Sequence, residues 1–287
     1  MKSAGVETGI FELSWEEYDR IKALNCSTLL WGHVSMLHLK WALEGRLRRE
    51  DTLALAFGRA LHMKLLEPDR FDSLYCVMPE FGDQRNTGNK ERKVAWMSEN
   101  AGKEFLERLD AAAIANAVIA VKKHPAEWLR KFPGKFEVAA VADLIGERCK
   151  GRLDKWIEKP STIVDIKKVG APDSPSQRSG SARSFANRIP GSSGYGYGMQ
   201  AAMYVDLIKK LTGENSRYYW IVVEDAPPFA VGVYQASAEL LDAGRNEYGN
   251  LLSRLKMARE DDKWPGYTEE AEELYGPEWW HRQYNGL

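Results

Sequence analysis

Three charged side chains between residues 151 and 168 have types and spacing suited to divalent-metal chemistry. Asp154 and Asp165 lie in two apolar segments, and Lys167 follows the second aspartate as Asp-x-Lys. Hard divalent cations prefer carboxylate oxygens, and a neighbouring lysine can orient water or stabilise developing negative charge. The pattern therefore indicates a site of the kind that metal-dependent nucleases use.

The two segments fit an antiparallel hairpin. In such a hairpin, the two residue numbers of every facing pair add up to the same sum, and the position of the turn determines this sum. A turn centred between Lys159 and Pro160 places Asp154 opposite Asp165. Lys167 then shares the face of Asp165, because side chains alternate along a strand.

A third strand is predicted upstream, over residues 136–142. A turn centred between Ile145 and Gly146 places Glu137 opposite Asp154. A three-stranded meander would thus align three carboxylates, which repel one another unless a cation lies between them. The alternative is that each acid is an ordinary solvated or ion-paired surface residue.

Five ordered segments resemble the PD-(D/E)xK nuclease superfamily, in particular the RecE-like phage and prophage exonucleases of the exonuclease VIII type. Two positions depart from the family pattern: Leu153 stands where many relatives have proline, and Lys168 where threonine or serine is usual. The segments are 57–71, which resembles the family's Gly-x-x-x-His helix, the strand with Glu137, 150–154, 163–167, and 195–204, which resembles its Tyr-x-x-Gln helix.

The resemblance implies roles for these residues. Asp154 and Asp165 would bind Mg²⁺, for which Mn²⁺ could substitute, and Glu137 and His62 would complete the site. Lys167 would position the attacking water. The resemblance also implies that Gln200 belongs to the catalytic set. The residues expected to contact DNA are Arg152, Arg178, Arg183, Arg188, Tyr197 and Tyr204.

Without the resemblance, His62 has a plainer interpretation. A single histidine on an amphipathic helix is more often a core or surface residue than a metal ligand. Gly58 lies one turn earlier and would let this helix face approach the sheet closely. The resemblance is what assigns His62 to the metal site.

Charge is unevenly distributed along a chain whose net charge is −1. Residues 148–193 hold ten Lys/Arg and four Asp/Glu, a balance of +6, whereas residues 257–280 have a balance of −6. A basic segment around the metal residues suits a phosphate backbone. The alternative, and more common, explanation for such an excess of charge is a solvated surface. The Ser/Gly/Arg-rich stretch 170–198 is either a DNA-contacting flap or a connector.

These residues need a scaffold, and the predicted scaffold is α/β. We expect a restriction-endonuclease-like core with a central mixed sheet, an antiparallel meander and flanking helices. One nuclease domain would fill residues 1–287, with a mainly helical part (1–130), a catalytic core (131–259) and an acidic aromatic tail (260–287). Helices are predicted over 14–24, 25–42, 52–66, 197–211 and 237–259, strands over 218–223 and 229–235, and a polar loop over 82–92.

The predicted function is a Mg²⁺-dependent deoxyribonuclease. The resemblance implies an exonuclease that digests linear duplex ends 5′→3′ for phage-type recombination, forms a homo-oligomer and hands its product to a single-strand annealing protein. A structure-specific endonuclease and a catalytically silent DNA-binding phage protein remain alternatives. The three cysteines form no zinc or disulfide pattern, which favours the cytoplasm, and no apolar run is long enough for a membrane span.

Overall fold

The predicted meander is the centre of the structure, a computed structural model that describes residues 8–47, 52–172, 181–268 and 270–285. Each strand of the meander forms where the sequence predicts it. The strands are β1 (Gly9–Glu12), β2 (Tyr75–Val77), β3 (Glu104–Leu106), β4 (Lys135–Leu144), β5 (Glu147–Ile157), β6 (Thr162–Val169), β7 (Arg217–Glu224) and β8 (Val231–Gln235).

Six of these strands form one mixed sheet in the order β1-β4-β5-β6-β7-β8. Neighbours are antiparallel except β6 and β7, which are parallel. A parallel pair needs a crossover connection, and the chain makes it through a helix between residues 197 and 212. The mixed α/β architecture is therefore confirmed. The short strands β2 and β3 form a separate parallel pair.

Helices cover both faces of the large sheet. In the part of the chain that the structure describes, no helix is long and apolar enough to cross a membrane. The α-helices are α1 (Trp15–Arg20), α2 (Cys26–Leu29), α3 (Trp31–Val34), α4 (Met36–Leu43), α5 (Leu53–Leu66), α6 (Pro68–Leu74), α7 (Thr87–Glu99), α8 (Arg108–Lys123), α9 (Trp128–Lys131), α10 (Tyr197–Thr212), α11 (Ala238–Glu260) and α12 (Glu278–Asn285).

Three helix boundaries differ from the prediction. The capping box of Ser14 and Glu17 forms, but α1 ends at Arg20 because the next residue turns to an extended backbone. The helix expected over 25–42 is divided into α2, α3 and α4, and the break before α4 occurs because Ser35 is extended and caps α4. The polar loop expected over 82–92 gives way to α7 at residue 87, where the Asn86 side chain caps the helix.

The core divides between the two faces of the sheet. On one face α10 packs Met199, Met203 and Leu207 against buried residues of β4, β5 and β6. On the other face α5 and α8 pack against Val164 and Ile166 of β6, with Leu61 among the buried contacts. The catalytic candidates of β5 and β6 therefore lie between two helical layers.

Both predicted turns form and both constant sums hold, but the predicted pairs Glu137–Asp154 and Asp154–Asp165 are themselves absent from the ladders. Val138 pairs with Leu153, and Lys155 pairs with Val164, as the two constant sums require. Residues 145 and 146 both have positive φ, which two-residue hairpin turns of the primed type need.

The two ladders are interrupted at one level of the sheet, beside Glu137 and Asp154. Glu137 has a φ of +51°, in the left-handed region. Phe136 packs on the α5 face of the sheet, but Val138, two residues later, packs on the α10 face. This reverses the alternation of a regular strand. Beyond this level β5 pairs with β6 only from Lys155 onward, so the two strands separate at Asp154.

Two lysines of β5 are buried and tie short helices to the sheet. The Lys150 ammonium donates to the Tyr18 and Ile21 carbonyls at 2.8 and 3.0 Å, at the end of α1. The Lys155 ammonium donates to the carbonyls of Leu129, Arg130 and Phe132 around α9. Both lysines belong to the basic segment predicted to attract DNA, yet neither is available at the surface.

Replacing Lys155 with methionine should lower the free energy of unfolding by about 2–4 kcal/mol, because several buried carbonyls lose a charged donor. Urea unfolding followed by circular dichroism measures the change. Lys135→Met is the control: this lysine is partly exposed and pairs with Glu158, so its loss should cost less than about 1 kcal/mol. Equal stability of the two variants would contradict the anchoring role of Lys155.

Candidate active site where β5 and β6 separate

Three potential metal ligands converge at the point where β5 and β6 separate. His62, Glu137 and Asp154 each offer an atom, and these atoms lie within 4.8 Å of one another. His62 Nδ1 is 3.4 Å from Asp154 Oδ2. Such a group of one imidazole and two carboxylates can hold a divalent cation.

Different elements bring the three ligands together. His62 comes from α5, whose N-terminus is capped by Thr52. The predicted role of Gly58 in close approach to the sheet is wrong, because an added Cβ there would meet no atom within 4 Å. Asp154 lies at the end of the β5–β6 ladder and accepts a hydrogen bond of 2.7 Å from the Ile166 amide. The carboxylate thus replaces a missing strand partner.

Arg152 holds Glu137 in place. Its Nε donates to Glu137 Oε2 at 2.7 Å, and another guanidinium nitrogen donates to the Leu13 carbonyl at 3.0 Å. The guanidinium also lies 4.4 Å from the ring centroid of Trp15. Only 9% of the Arg152 side chain is exposed, so the arrangement argues against its predicted DNA contact and indicates a positioning role.

Asp165 and Lys167 form a buried ion pair next to the three ligands. Lys167 Nζ lies 2.9 Å from Asp165 Oδ1 and 2.7 Å from Oδ2. The ammonium is also 4.9 Å from the ring centroid of Tyr197 at the start of α10. The Asp-x-Lys spacing therefore places the lysine between an acid and an aromatic ring.

Proximity of these charges shifts their pKa values. Burial raises the pKa of Asp165 to about 6, against the opposing effect of Lys167. Burial alone would lower the pKa of His62, but the Asp154 carboxylate outweighs it and raises that pKa to about 9. Burial and the Asp154 charge also raise the pKa of Glu137. The site therefore concentrates negative charge that a cation would stabilise.

The donor set fits a divalent metal. Asp165 Oδ2 is buried, and among the described residues no donor makes a well-directed hydrogen bond to it, although Lys167 is close. This carboxylate is ion-paired with Lys167 and is not part of the group of His62, Glu137 and Asp154, so those three residues are the first candidates to hold a cation. Two carboxylates and one imidazole are a donor set that a divalent cation accepts.

The Tyr-x-x-Gln segment supplies the opposite wall of the site. Gln200 lies on α10 within hydrogen-bonding reach of Tyr204. Tyr204 is only 7% exposed and packs on Gly151, where an added Cβ would lie 2.6 Å from the ring. Gly151 is thus required for α10 to approach β5. This burial argues against the predicted DNA contact of Tyr204.

The remaining predicted DNA contacts lie along the chain before α10. Arg183 is exposed on a 3₁₀ helix, Ala182–Arg188. Arg188 lies 4.8 Å from the ring centroid of Tyr195, and Tyr197 is half-buried beside Lys167. Arg178 lies outside the described residues.

Two features of the site were not predicted from the sequence: the contact between Arg152 and Trp15, and the exposed position of Tyr195. The first joins residues that are far apart in the chain, and no local pattern indicates it. The second could have been predicted, because Tyr195 lies two residues before Tyr197 in the Tyr-x-x-Gln segment. An aromatic residue next to the Tyr-x-x-Gln motif is the signal that the sequence offers.

Replacing Arg152 with glutamine should raise the metal concentration needed for half-maximal activity by about 10–100-fold, the effect typical of removing a group that orients a ligand. Titration with MgCl₂ measures it. Arg148→Gln on the same strand is the control, since Arg148 pairs with Asp143 at 3.8 Å away from the ligands. An unchanged Mg²⁺ dependence in Arg152→Gln would show that Arg152 does not position Glu137.

The fold and the site together define a member of the PD-(D/E)xK nuclease superfamily. The model of one family, the PDDEXK-like domain of unknown function (DUF3799), matches residues 30–276. The chain therefore belongs to this family. None of the curated proteins is significantly similar to the chain.

Comparison with solved structures supports the same fold. A crystal structure from Eubacterium rectale, described as a "Putative exonuclease", superposes with a TM-score of 0.59 at 14% identity and covers 96% of this chain and 100% of its own. At this identity the similarity shows the restriction-endonuclease-like fold alone. The crystal structure of SSO0001 covers 70% of this chain and 86% of its own at 15% identity, with a TM-score of 0.28 too low to support an argument.

Proposed function

We propose that this protein is a divalent-metal-dependent exonuclease that degrades linear duplex DNA from its ends. The observation that carries the proposal is the convergence of His62, Glu137 and Asp154 within 4.8 Å, directly beside the Asp165–Lys167 pair. A nuclease of this superfamily acts on DNA, and the site contains the ligands and the lysine that phosphodiester hydrolysis requires.

Each residue has a role in this proposal. Asp154, Glu137 and His62 would hold Mg²⁺, with Asp165 as a further ligand. When bound, the metal supplies Lewis-acid stabilisation of the phosphate and lowers the pKa of a bound water. Lys167 orients the attacking water and stabilises negative charge that develops on the phosphate. Gln200, through its position on α10, borders the site where the scissile strand lies.

We further propose a 5′→3′ direction, a role in phage-type recombination with an annealing protein, and a cytoplasmic location. The described cysteines, Cys26, Cys76 and Cys149, are all free thiols, which suits a reducing compartment. A homo-oligomer of three or four subunits remains a prediction, which light scattering of the purified protein measures. Tyr275 of the tail is exposed, and a subunit contact at the tail would bury it.

A structure-specific endonuclease on the same core is the second candidate, and a closed circular substrate separates the two. The experiment compares a 5′-labelled linear duplex with a covalently closed circle of the same sequence, in Mg²⁺, Mn²⁺ or EDTA. We expect digestion of the linear form only, early release of labelled 5′ nucleotides, and full inhibition by EDTA. Nicking of the circle would favour the endonuclease, and inert DNA in both metals would favour a silent DNA-binding protein.

A further inference from the structure

Four aromatic rings form a continuous stack next to Lys167. The ring centroids of Tyr234 and Phe185 are 5.8 Å apart with planes 11° from parallel, and those of Phe185 and Tyr197 are 5.4 Å apart at 20°. Tyr197 and Tyr195 follow at 5.5 Å and 21°. Phe185 is buried, whereas Tyr195 is 48% exposed. The buried Phe185 thus lies inside the stack, and Tyr195 forms its exposed end.

The outer end of the stack lies close to the reacting groups. The Lys167 ammonium contacts the Tyr197 ring, so Tyr195 is one ring away from the lysine that contacts Asp165. On the surface side, the Arg188 guanidinium lies over the Tyr195 ring, 4.8 Å from its centroid. A base that stacks on Tyr195 would take the place of this guanidinium over the ring, and the guanidinium could then contact the negative phosphate of the same nucleotide.

The exposed ring is held by an ordered turn. The Tyr195 amide donates to the Arg188 carbonyl at 3.1 Å, and the Gly196 amide donates to the Pro190 carbonyl at 3.1 Å. Gly196 has a φ of +70°, and an added Cβ there would lie 2.5 Å from the Leu30 side chain. The turn therefore fixes Tyr195 before any ligand binds, which reduces the entropy that binding would cost.

The reacting groups lie below the surface. The side chains of Asp165 and Asp154 are only 2% and 13% exposed, and that of Lys167 is 14% exposed. A strand that has separated from its complement can bring its phosphate further into such a recessed site than the same strand in a duplex. The exposed ring at the end of the stack, one ring away from Lys167, is thus suited to a base that has lost its pairing partner.

We propose that Tyr195 stacks on an unpaired base of the strand being cut, at the nucleotide next to the scissile phosphate. This inference rests on the proposed nuclease function and specifies the form of its substrate, a frayed or single-stranded end. The contact accepts any base, because every base presents a π face.

The test measures binding of three fluorescently labelled DNAs in EDTA, where no hydrolysis occurs: a single-stranded oligonucleotide, a duplex with a short unpaired end and a blunt duplex. Tyr195→Ala should weaken binding of the first two DNAs about tenfold, the range of one base–aromatic stack, and leave the blunt duplex unchanged. Tyr195→Phe, which keeps the ring, should bind all three like the parent. Tyr267→Ala removes another exposed tyrosine, one with no role in the proposed site, and is the matched control.

Unchanged affinity of Tyr195→Ala for the single strand would overturn the proposal. Equal weakening on all three DNAs would also overturn it, because the ring would then contact DNA without regard to pairing. A tyrosine-dependent preference for unpaired DNA in a parent protein that hydrolyses nothing in Mg²⁺ would reject the nuclease function but keep the base-stacking site. If the parent protein hydrolyses DNA but shows no tyrosine-dependent preference for unpaired DNA, the nuclease function is kept and the base-stacking site is rejected.

Discussion

Asp154→Asn and Asp165→Asn should each reduce DNA hydrolysis by on the order of 10³-fold or more while the protein stays folded. A bound metal contributes several kcal/mol to phosphate chemistry, and about 1.4 kcal/mol corresponds to a factor of ten in rate. Asparagine at position 154 keeps an oxygen that accepts from the Ile166 amide, so the hydrogen bond that links β5 to β6 is retained. Initial rates on a linear duplex and thermal melting of both variants measure the two effects.

The matched control is Asp143→Asn on β4. Asp143 is exposed and pairs with Arg148 at 3.8 Å, so its loss should change the rate by less than about twofold. Robust activity of either active-site variant, or full activity of the parent in excess EDTA, would exclude the metal mechanism. Unfolding of a variant at assay temperature would instead contradict the expectation that the site is not needed for stability.

Lys167→Met should reduce turnover by roughly 10²–10⁴-fold with little change in DNA affinity. The ammonium lies against both oxygens of Asp165 inside the site, where it can act on the reacting water or phosphate. A single recessed charge contributes little to the attraction of a polyanion, which depends on the number of phosphates contacted. Single-turnover rates at saturating DNA separate chemistry from binding.

Lys168→Met is the matched control, because the adjacent lysine is on the other face and pairs with Asp225 at 2.6 Å. We expect this variant to hydrolyse DNA at close to the parent rate. If Lys168→Met loses as much turnover as Lys167→Met, the effect comes from general loss of positive charge. Weakened binding with unchanged turnover in Lys167→Met would assign this lysine to substrate affinity.

The register of the meander could be predicted because its turns determine it. The Ile145-Gly146 and Lys159-Pro160 turns set two constant sums, and the observed pairs obey both. The change of faces at Glu137 could not be predicted, since the run from residue 136 to 142 is apolar on both sides of the glutamate and offers no alternation to read. Such a pattern does not indicate a left-handed φ in a non-glycine residue.

The burial of Lys150 and Lys155 was also beyond sequence reasoning. Lysine is almost always exposed unless it is paired. The acceptors here are carbonyls of segments around Tyr18 and Leu129, far from β5 in the chain. By contrast, the division of the helix after residue 25 had a visible signal, because Ser35 is a preferred N-cap residue. The amphipathic pattern, taken alone, did not indicate a break of the helix at Ser35.

The bond from the Ile166 amide to Asp154 makes this amide a reporter of the site. Most strand amides donate to a carbonyl and are insensitive to what happens at a carboxylate. Here the acceptor is a candidate ligand, so protonation of Asp154 or withdrawal of its charge by a cation weakens the same hydrogen bond. The exchange rate and chemical shift of one backbone proton thus carry information about the charge on Asp154 without DNA or turnover.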